Sequence, residues 1–260
     1  MAEAPKLAPI TIVTGSSRGI GRAIAKALAA EGHRLVLTAR DEHRLEEVAS
    51  ELRNIGTEIA TIATDLRGPE AIEQILALTH QQFGKPDIIV SNAGTAPSDK
   101  IENTTDAMMQ EAFDLHVATP LAFARHCASD MKARSSGCLL HLASSAGLRG
   151  YPFTSAYTAA KHGMVGLARA LHEELTPKGL HVYAVCPGFV DTDITRNAAK
   201  AIASKGQTSA DDVLTQMGAQ NCIGRMHTSD EVAAAVRMLL RDRPTGCIYD
   251  LDRNPAAFTD

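Results

Sequence analysis

Tyr157 and Lys161 stand four residues apart in the Ala-rich run that opens at Ser155. If that run is helical, both side chains share one face, one turn apart. A free phenol has a pKa of about 10 and is a poor acid or base at neutral pH. A neighbouring ammonium would favour the phenolate and lower that value. Proton transfer is most efficient when the catalytic pKa lies near the operating pH, so Tyr-x-x-x-Lys is a sensible acid/base pair. Ser144 lies upstream, after the apolar run 138–142. A hydroxyl at a strand end can supply a second donor to a developing oxyanion. Pro187 and Gly188 follow a further apolar run at 182–186.

These residues need a scaffold, and the N-terminal third suggests one. Residues 10–13 form a short β-branched strand, followed by Thr14-Gly15-Ser16-Ser17-Arg18-Gly19-Ile20-Gly21 and an amphipathic helix over about 22–31. A strand, a glycine-rich turn and a helix N-terminus together suit a pyrophosphate, or form a plain βα connection. The second strand, 34–38, runs into Arg40. A dinucleotide fold often places an acid near this strand end for the ribose 2′-hydroxyl. Here the first acid is Asp41; Arg40, with Arg18 from the glycine turn, instead suits a 2′-phosphate. Both arginines could equally be solvated surface residues.

Further on, the pattern alternates. A helix over 42–54 closes at Gly56, and a strand over 58–63 ends in Thr64-Asp65-Leu66. Asp65 could bond an adenine amine or cap the next turn. A helix over 69–83 begins at Pro69, and a strand over 87–90 enters Ser91-Asn92-Ala93-Gly94. Residues 105–134 read as one long helix or two abutting ones, with Pro120 as a possible kink. After the Ser144 strand and the Tyr157 helix comes 192–226, a long and weakly periodic stretch of the kind that covers a substrate. A helix over 230–241 and a strand over 247–251 finish the pattern. Strand–helix alternation throughout predicts an α/β fold, a Rossmann-like doubly wound parallel sheet flanked by helices. A single domain over 1–260 is expected, with residues 1–9 as a tail.

Composition narrows the class. The 260 residues are 45% hydrophobic and 22% charged, with a formal net charge of -4. No basic cluster points to nucleic acid. No apolar run reaches the length of a membrane span, and residues 1–9 lack the apolar core of a signal peptide. The five cysteines show no Cys-x-x-Cys spacing, which fits reduced thiols in the cytoplasm. The ten histidines form no His-x-x-x-His pair, so no metal site is expected.

Six pieces in order, Thr14-Gly15-x-x-x-Gly19-Ile20-Gly21, Asp65, Asn92-Ala93-Gly94, Ser144, Tyr157-x-x-x-Lys161 and Pro187-Gly188-x-x-x-Thr192, make the chain resemble the short-chain dehydrogenase/reductase family. The resemblance covers 14 to about 251. It implies a nicotinamide-dependent oxidoreductase acting on a ketone or secondary alcohol. Tyr157 would donate the proton in reduction, Lys161 would lower its pKa and hold the nicotinamide ribose, and Ser144 would bond the carbonyl oxygen. Gly15, Ser17, Arg18, Gly19, Ile20, Gly21, Arg40, Asp65, Leu66, Asn92, Ala93, Gly94, Pro187, Gly188, Val190 and Thr192 would join Tyr157 and Lys161 in binding the cofactor, NADP by preference with NAD possible.

Two departures stand out. The family usually carries an Asn, on the proton path from the lysine, where this chain has His116. That histidine either replaces the Asn, since it hydrogen-bonds and titrates near neutrality, or is core packing. The last strand reads Asp250-Leu251-Asp252-Arg253 where relatives often end in Asp-Gly-Gly, which affects tail packing. Within the family the chain is most similar to 3-oxoacyl-thioester and polyketide ketoreductases, with a ketone, alcohol or acyl-thioester substrate and a homotetramer as implied properties. The alternatives are a dehydrogenase of a cyclic or steroid-like alcohol and a catalytically silent dinucleotide-binding regulator. Ala96, Leu148, Tyr151, Phe153 and Phe189 are candidates for the substrate wall.

Overall fold

The structure is a computed structural model and describes residues 8–204, 208–253 and 258–259. Seven parallel strands and one antiparallel edge strand form a single sheet. In chain order they are β1 (Ile10–Thr14), β2 (Arg34–Ala39), β3 (Ile59–Ala63), β4 (Ile88–Ser91), β5 (Gly137–Leu142), β6 (Leu180–Cys186), β7 (Ile248–Asp250) and β8 (Phe258–Thr259). Their spatial order is β3-β2-β1-β4-β5-β6-β7-β8. The order reverses between β1 and β4. In an open α/β sheet a crevice forms beyond the strand C-termini at such a reversal.

Parallel strands buried on both faces should read as nearly continuous apolar runs, and these do. Alternate residues face opposite layers. Val13, Leu35, Leu37, Val90, Leu140 and Val185 pack under α1 (Gly19–Ala30), α2 (Glu42–Arg53) and α9 (Ser229–Asp242). Ile12, Val36, Ile89, Leu139, Val182 and Ala184 pack under α3 (Ala71–Gln82), α5 (Thr119–Arg134) and α6 (Ser155–Leu175). His141 lies on this second face, one step along β5 from Leu139, and is fully buried.

Several boundaries shift from the sequence expectation for identifiable reasons. Helix α1 starts at Gly19, inside the glycine turn and earlier than expected. Helix α3 starts at Ala71, with Glu70 at its N-cap position, so Pro69 precedes the helix. The stretch 105–134 is α4 (Asp106–Phe113) and α5 joined by a π-helical turn, Asp114–Ala118. Pro120 therefore sits in the first turn of α5, directly after the π-helical turn that holds His116. The weakly periodic stretch after Thr192 holds α7 (Asp193–Ala203) and α8 (Ala210–Ala219), each with a hydroxyl N-cap, Thr192 and Ser209. Among the described residues no helix is long and apolar enough to cross a membrane.

Candidate active site

One cleft of about 790 Å³ opens at the C-terminal edge of the sheet. Every residue predicted above to be catalytic or cofactor-binding lines it, from Gly15 to Thr192. Of the proposed substrate wall, Ala96, Tyr151, Phe153 and Phe189 line it as well. Leu148 does not: it packs against the core beneath α6 and borders a separate small hollow.

At one end, β1 turns into α1. Gly15 and Gly19 have φ of 65° and 53°, the left-handed region that glycine occupies freely. A Cβ on Gly21 would run into the Gly15 carbonyl and the Asn92 amide. The turn is therefore a cradle open to close backbone approach, at the start of a helix whose first N–H groups are free for an anion. Asn92 holds this cradle: its side-chain amide donates to the carbonyls of Thr14 (2.8 Å) and Gly15 (3.1 Å). The backbone N–H groups of Asn92 and Ala93 donate to the Thr14 hydroxyl at 2.9 and 3.0 Å. Asn92 thus ties β4 to the glycine turn, a structural task that its motif did not reveal.

Next to the cradle lies a cationic rim. Strand β2 ends at Ala39, one residue beyond the expectation, yet Asp41 points away from the cleft. Its carboxylate caps α2 by accepting the Arg44 N–H at 3.1 Å. Arg40 remains on the cleft wall. Asp65 is held by Arg67 through Nε (3.0 Å), Nη2 (2.7 Å) and the backbone N–H (3.0 Å). These bonds, with a smaller contribution from Arg40, lower its pKa to about 2. Asp65 therefore caps its own turn while facing the cleft. Arg67 also lines the cleft and was not anticipated; the only local signal was its position two residues past Asp65. Arg18 is paired with Asp193 of α7 at 3.2 Å.

At the other end stand Ser144, Tyr157 and Lys161. Ser144 follows β5, and its hydroxyl accepts the Ala146 N–H at 3.1 Å. A Cβ on Gly147 would sit 2.8 Å from the Lys161 carbonyl oxygen, so glycine there lets α6 approach the sheet. Lys161 is only 4% exposed. Its Nζ donates to the Leu142 carbonyl at 2.6 Å and lies 5.7 Å from the Tyr157 ring centre. Burial lowers the Lys161 pKa to about 7. Burial also raises the Tyr157 pKa, partly countered by the Ser144 hydroxyl. Burial is the largest cause for both groups, and the Lys161 Nζ is directed to the end of β5.

His116 is fully buried beside them, its ring edge-on to Tyr157 at 5.6 Å between centres. Nε2 bonds the Thr95 carbonyl at 2.9 Å. Burial, then the Lys161 charge, lowers its pKa to about 3. It does not titrate near neutrality, contrary to the sequence expectation. Among the described residues Nδ1 has no hydrogen-bond partner, nor do both ring nitrogens of His141 and the Ser91 hydroxyl. His141 and Ser91 are register partners on β5 and β4. A buried polar patch thus lies behind Lys161, and neither Ser91 nor His141 was singled out from sequence.

The substrate side is apolar. Phe189 packs edge-on to Tyr151 at 5.6 Å, and Ile194, Ile202 and Met217 of α7 and α8 close the wall. Phe153, 61% exposed at the mouth, has a φ of 64°. Thr192 caps α7 and lies against Gly19, so this segment reaches the cradle. Among the described residues no group of three His, Cys, Asp or Glu could hold a metal ion.

Comparison with known proteins accords with this geometry. The family model described as short chain dehydrogenase matches residues 9–203. The chain is 34% identical over 236 residues to a ketoacyl reductase assigned to the granaticin polyketide synthase of Streptomyces violaceoruber, covering 90% of this chain and 87% of that one. It is 31% identical over 233 residues to the 3-oxoacyl-[acyl-carrier-protein] reductase of Escherichia coli, covering 90% of each. Among solved structures, a variant of actinorhodin polyketide ketoreductase with NADPH superposes with a TM-score of 0.89 at 28% identity, covering 96% of this chain and 98% of that one.

The buried histidines make the stability acid-sensitive. Burial lowers the His141 pKa from 6.5 to about 4. The unfolded chain therefore binds a proton that the folded chain refuses, and stability falls as pH drops from about 6.5 towards 4. Each such imidazole adds a slope of about 1.4 kcal/mol per pH unit. His141→Leu should flatten the slope by one such increment in denaturant titrations between pH 4.5 and 6.5. An unaltered slope would mean that His141 is already protonated in the folded protein.

Proposed function

Since the chain belongs to the short-chain dehydrogenase family, we propose that it is an NADPH-dependent carbonyl reductase acting on ketones of the 3-oxoacyl-thioester type. The observation that carries this reading is the convergence of Ser144, Tyr157 and Lys161 at one end of a cleft whose other end is a glycine cradle. The relatives named above are reductases of that substrate class, and one was solved with NADPH.

The cradle fits a dinucleotide: its backbone N–H groups would hold a pyrophosphate, and a Cβ at Gly21 would close it. When bound, NADPH supplies the hydride to the carbonyl carbon. Ser144 donates a hydrogen bond to the carbonyl oxygen and steadies its growing negative charge. Tyr157, kept protonated by burial, gives its proton to the same oxygen. Lys161, one turn further along α6, offsets the charge left on the phenolate and holds the nicotinamide ribose. His116 takes the relay position as a neutral imidazole, with Nδ1 open as an acceptor beside Tyr157. The segment 192–226 serves as a substrate lid. Four of the five free cysteines are buried, in keeping with a reducing, cytoplasmic setting.

Tyr157→Phe should leave less than a tenth of wild-type kcat on a ketone panel while NADPH binding is retained. In the same assay His116→Asn should keep most of the activity and His116→Leu should lose it. Retained turnover in Tyr157→Phe would remove the phenol from the mechanism, and equal rates in the two His116 variants would reduce that residue to packing.

The cofactor is NADP(H) because Arg40 lies on the cationic rim, with Arg67 and Arg18 nearby on the same wall. A hydrogen bond to a charged group is worth about 1.5–3 kcal/mol. Arg40→Ala should therefore weaken NADPH about tenfold to a hundredfold, with little change for NADH. Equal loss for both cofactors, measured as Kd, would place Arg40 outside the 2′-phosphate site.

A homotetramer is the proposed assembly, supported by the apolar side chains that α4 and α5 leave exposed, Phe113 at 36% and Leu121 at 42%. Light scattering at micromolar concentration should give four times the chain mass; a monomer mass excludes it.

A further inference from the structure

The chain departs from its family's usual ending after β7, and the departure has a structural consequence. Asp250 turns the backbone: its Oδ1 accepts the N–H groups of Asp252 and Arg253, both at 3.1 Å. The Asp252 carboxylate is thereby directed inward, with 1% side-chain exposure. Its Oδ1 accepts the Cys222 N–H at 2.9 Å and lies 3.4 Å from His227 Nε2. Its Oδ2 accepts from Arg149 Nη2 at 3.4 Å. A Cβ on Gly188 would stand 3.1 Å from the Asp252 carboxyl carbon. One buried carboxylate thus meets three separate segments: the loop at Arg149, the Pro187-Gly188 turn, and the turn at 221–227 after α8.

All three segments build the substrate side of the cleft. Arg149 Nε donates to the Tyr151 hydroxyl at 2.8 Å, and its guanidinium lies 5.1 Å from the centre of that ring. The same hydroxyl bonds the Ser145 hydroxyl at 2.7 Å, beside Ser144. The Tyr151 ring packs on Phe189. Phe189 is itself fixed at both backbone groups by Asn221, whose Oδ1 accepts its N–H and whose Nδ2 donates to its carbonyl, each at 2.8 Å. A buried carboxylate stripped of its partners is strongly unfavourable. The three segments therefore cannot separate without stranding Asp252.

We propose that Asp252 is a positioning residue for the substrate wall: through Arg149 it sets the Tyr151 ring, and through Cys222 and Gly188 it sets the Phe189 turn, so that it governs which ketones the cleft accepts. This rests on the reading that the ketone binds beside Ser144. Asp252 touches neither the glycine cradle nor Tyr157, and its one neighbour among the residues assigned to the cofactor is Gly188, so its effect falls first on the substrate side.

The test compares full-length wild type, Asp252→Asn and Arg149→Gln. Asp252→Asn should raise KM across a ketone panel about tenfold to a hundredfold, the worth of a charged hydrogen bond. It should also change the rank order of ketones, with kcat within about twofold of wild type and NADPH Kd moved by less than KM. Arg149→Gln, altering the more exposed partner, should give the same KM pattern, and the two effects should be less than additive in the double variant. Hydrogen exchange, which needs no turnover, should quicken at 149–153 and 221–227 in Asp252→Asn but not in α1. Wild type that reduces no ketone would defeat the proposed function, and the exchange would still decide on Asp252. Unchanged exchange at both segments overturns the proposal. So does a joint loss of kcat, KM and NADPH binding, which would indicate general destabilisation.

Discussion

The burial of the Lys161 ammonium against the Leu142 carbonyl is the interaction around which the chemistry end is built. Little of the side chain is exposed, and its Nζ donates a 2.6 Å hydrogen bond to that carbonyl. Each unit of pKa represents about 1.4 kcal/mol, so a fall from 10.5 to about 7 means several kcal/mol set against the charged form. Gly147 allows that burial by letting α6 lie close to the end of β5. The consequences spread outward. Tyr157 shares the dry environment and stays protonated. His116 and His141 feel both the dryness and the cation, and stay neutral. A protonated phenol beside a lysine poised between its two states is the arrangement that a ketone reduction requires, since the proton must be present before transfer and the charge balanced after it.

The nucleotide end obeys a different constraint, which is steric. Gly15 and Gly21 leave no room for side chains, Gly19 holds a left-handed φ of 53°, and Asn92 fastens the turn to β4. Charge appears only at the rim, where Arg40 is exposed on the cleft wall and Arg67 is paired with Asp65. Screening is strong at such a surface, so Arg40 contributes little to folding and is available to a ligand. Separating a rigid, uncharged cradle from a solvated cationic rim allows phosphate selectivity to change without disturbing the fold.

The sheet and most of the site were legible because the relevant signals are local. Short apolar, β-branched runs mark the buried strands, four-residue spacing puts Tyr157 and Lys161 on one helix face, and a glycine cluster between strand and helix marks the cradle. What was not legible depends on the dielectric or on contacts remote in sequence. The spacing of Tyr157 and Lys161 says that they are neighbours, but not that burial dominates their pKa values. The π-turn at Asp114–Ala118 carries no glycine or proline of its own, so no local signal marks it. His141 looks like an ordinary strand residue until β4 brings Ser91 beside it. Asp252 and Arg149 are 103 residues apart, and nothing near either one announces the other.

Irregularities gather on the cleft rather than being spread through the fold. Ser135 and Arg243, two of the three non-glycine residues with positive φ, simply end α5 and α9. The third, Phe153, ends no helix; it stands at the mouth of the cleft. The buried polar atoms without a partner among the described residues belong to Thr38, Ser91, His116 and His141, each at or just before the C-terminal edge of the sheet. Unpaired buried groups and left-handed side-chain residues each cost stability, of order 1–3 kcal/mol. A sequence selected for stability alone would remove them, and apolar residues at Ser91 and His141 would suffice. Their concentration behind Lys161 and around Tyr151 places the fold's local inconsistencies where a reaction would use them, which is the expected pattern for a scaffold whose core is optimised and whose edge is specialised.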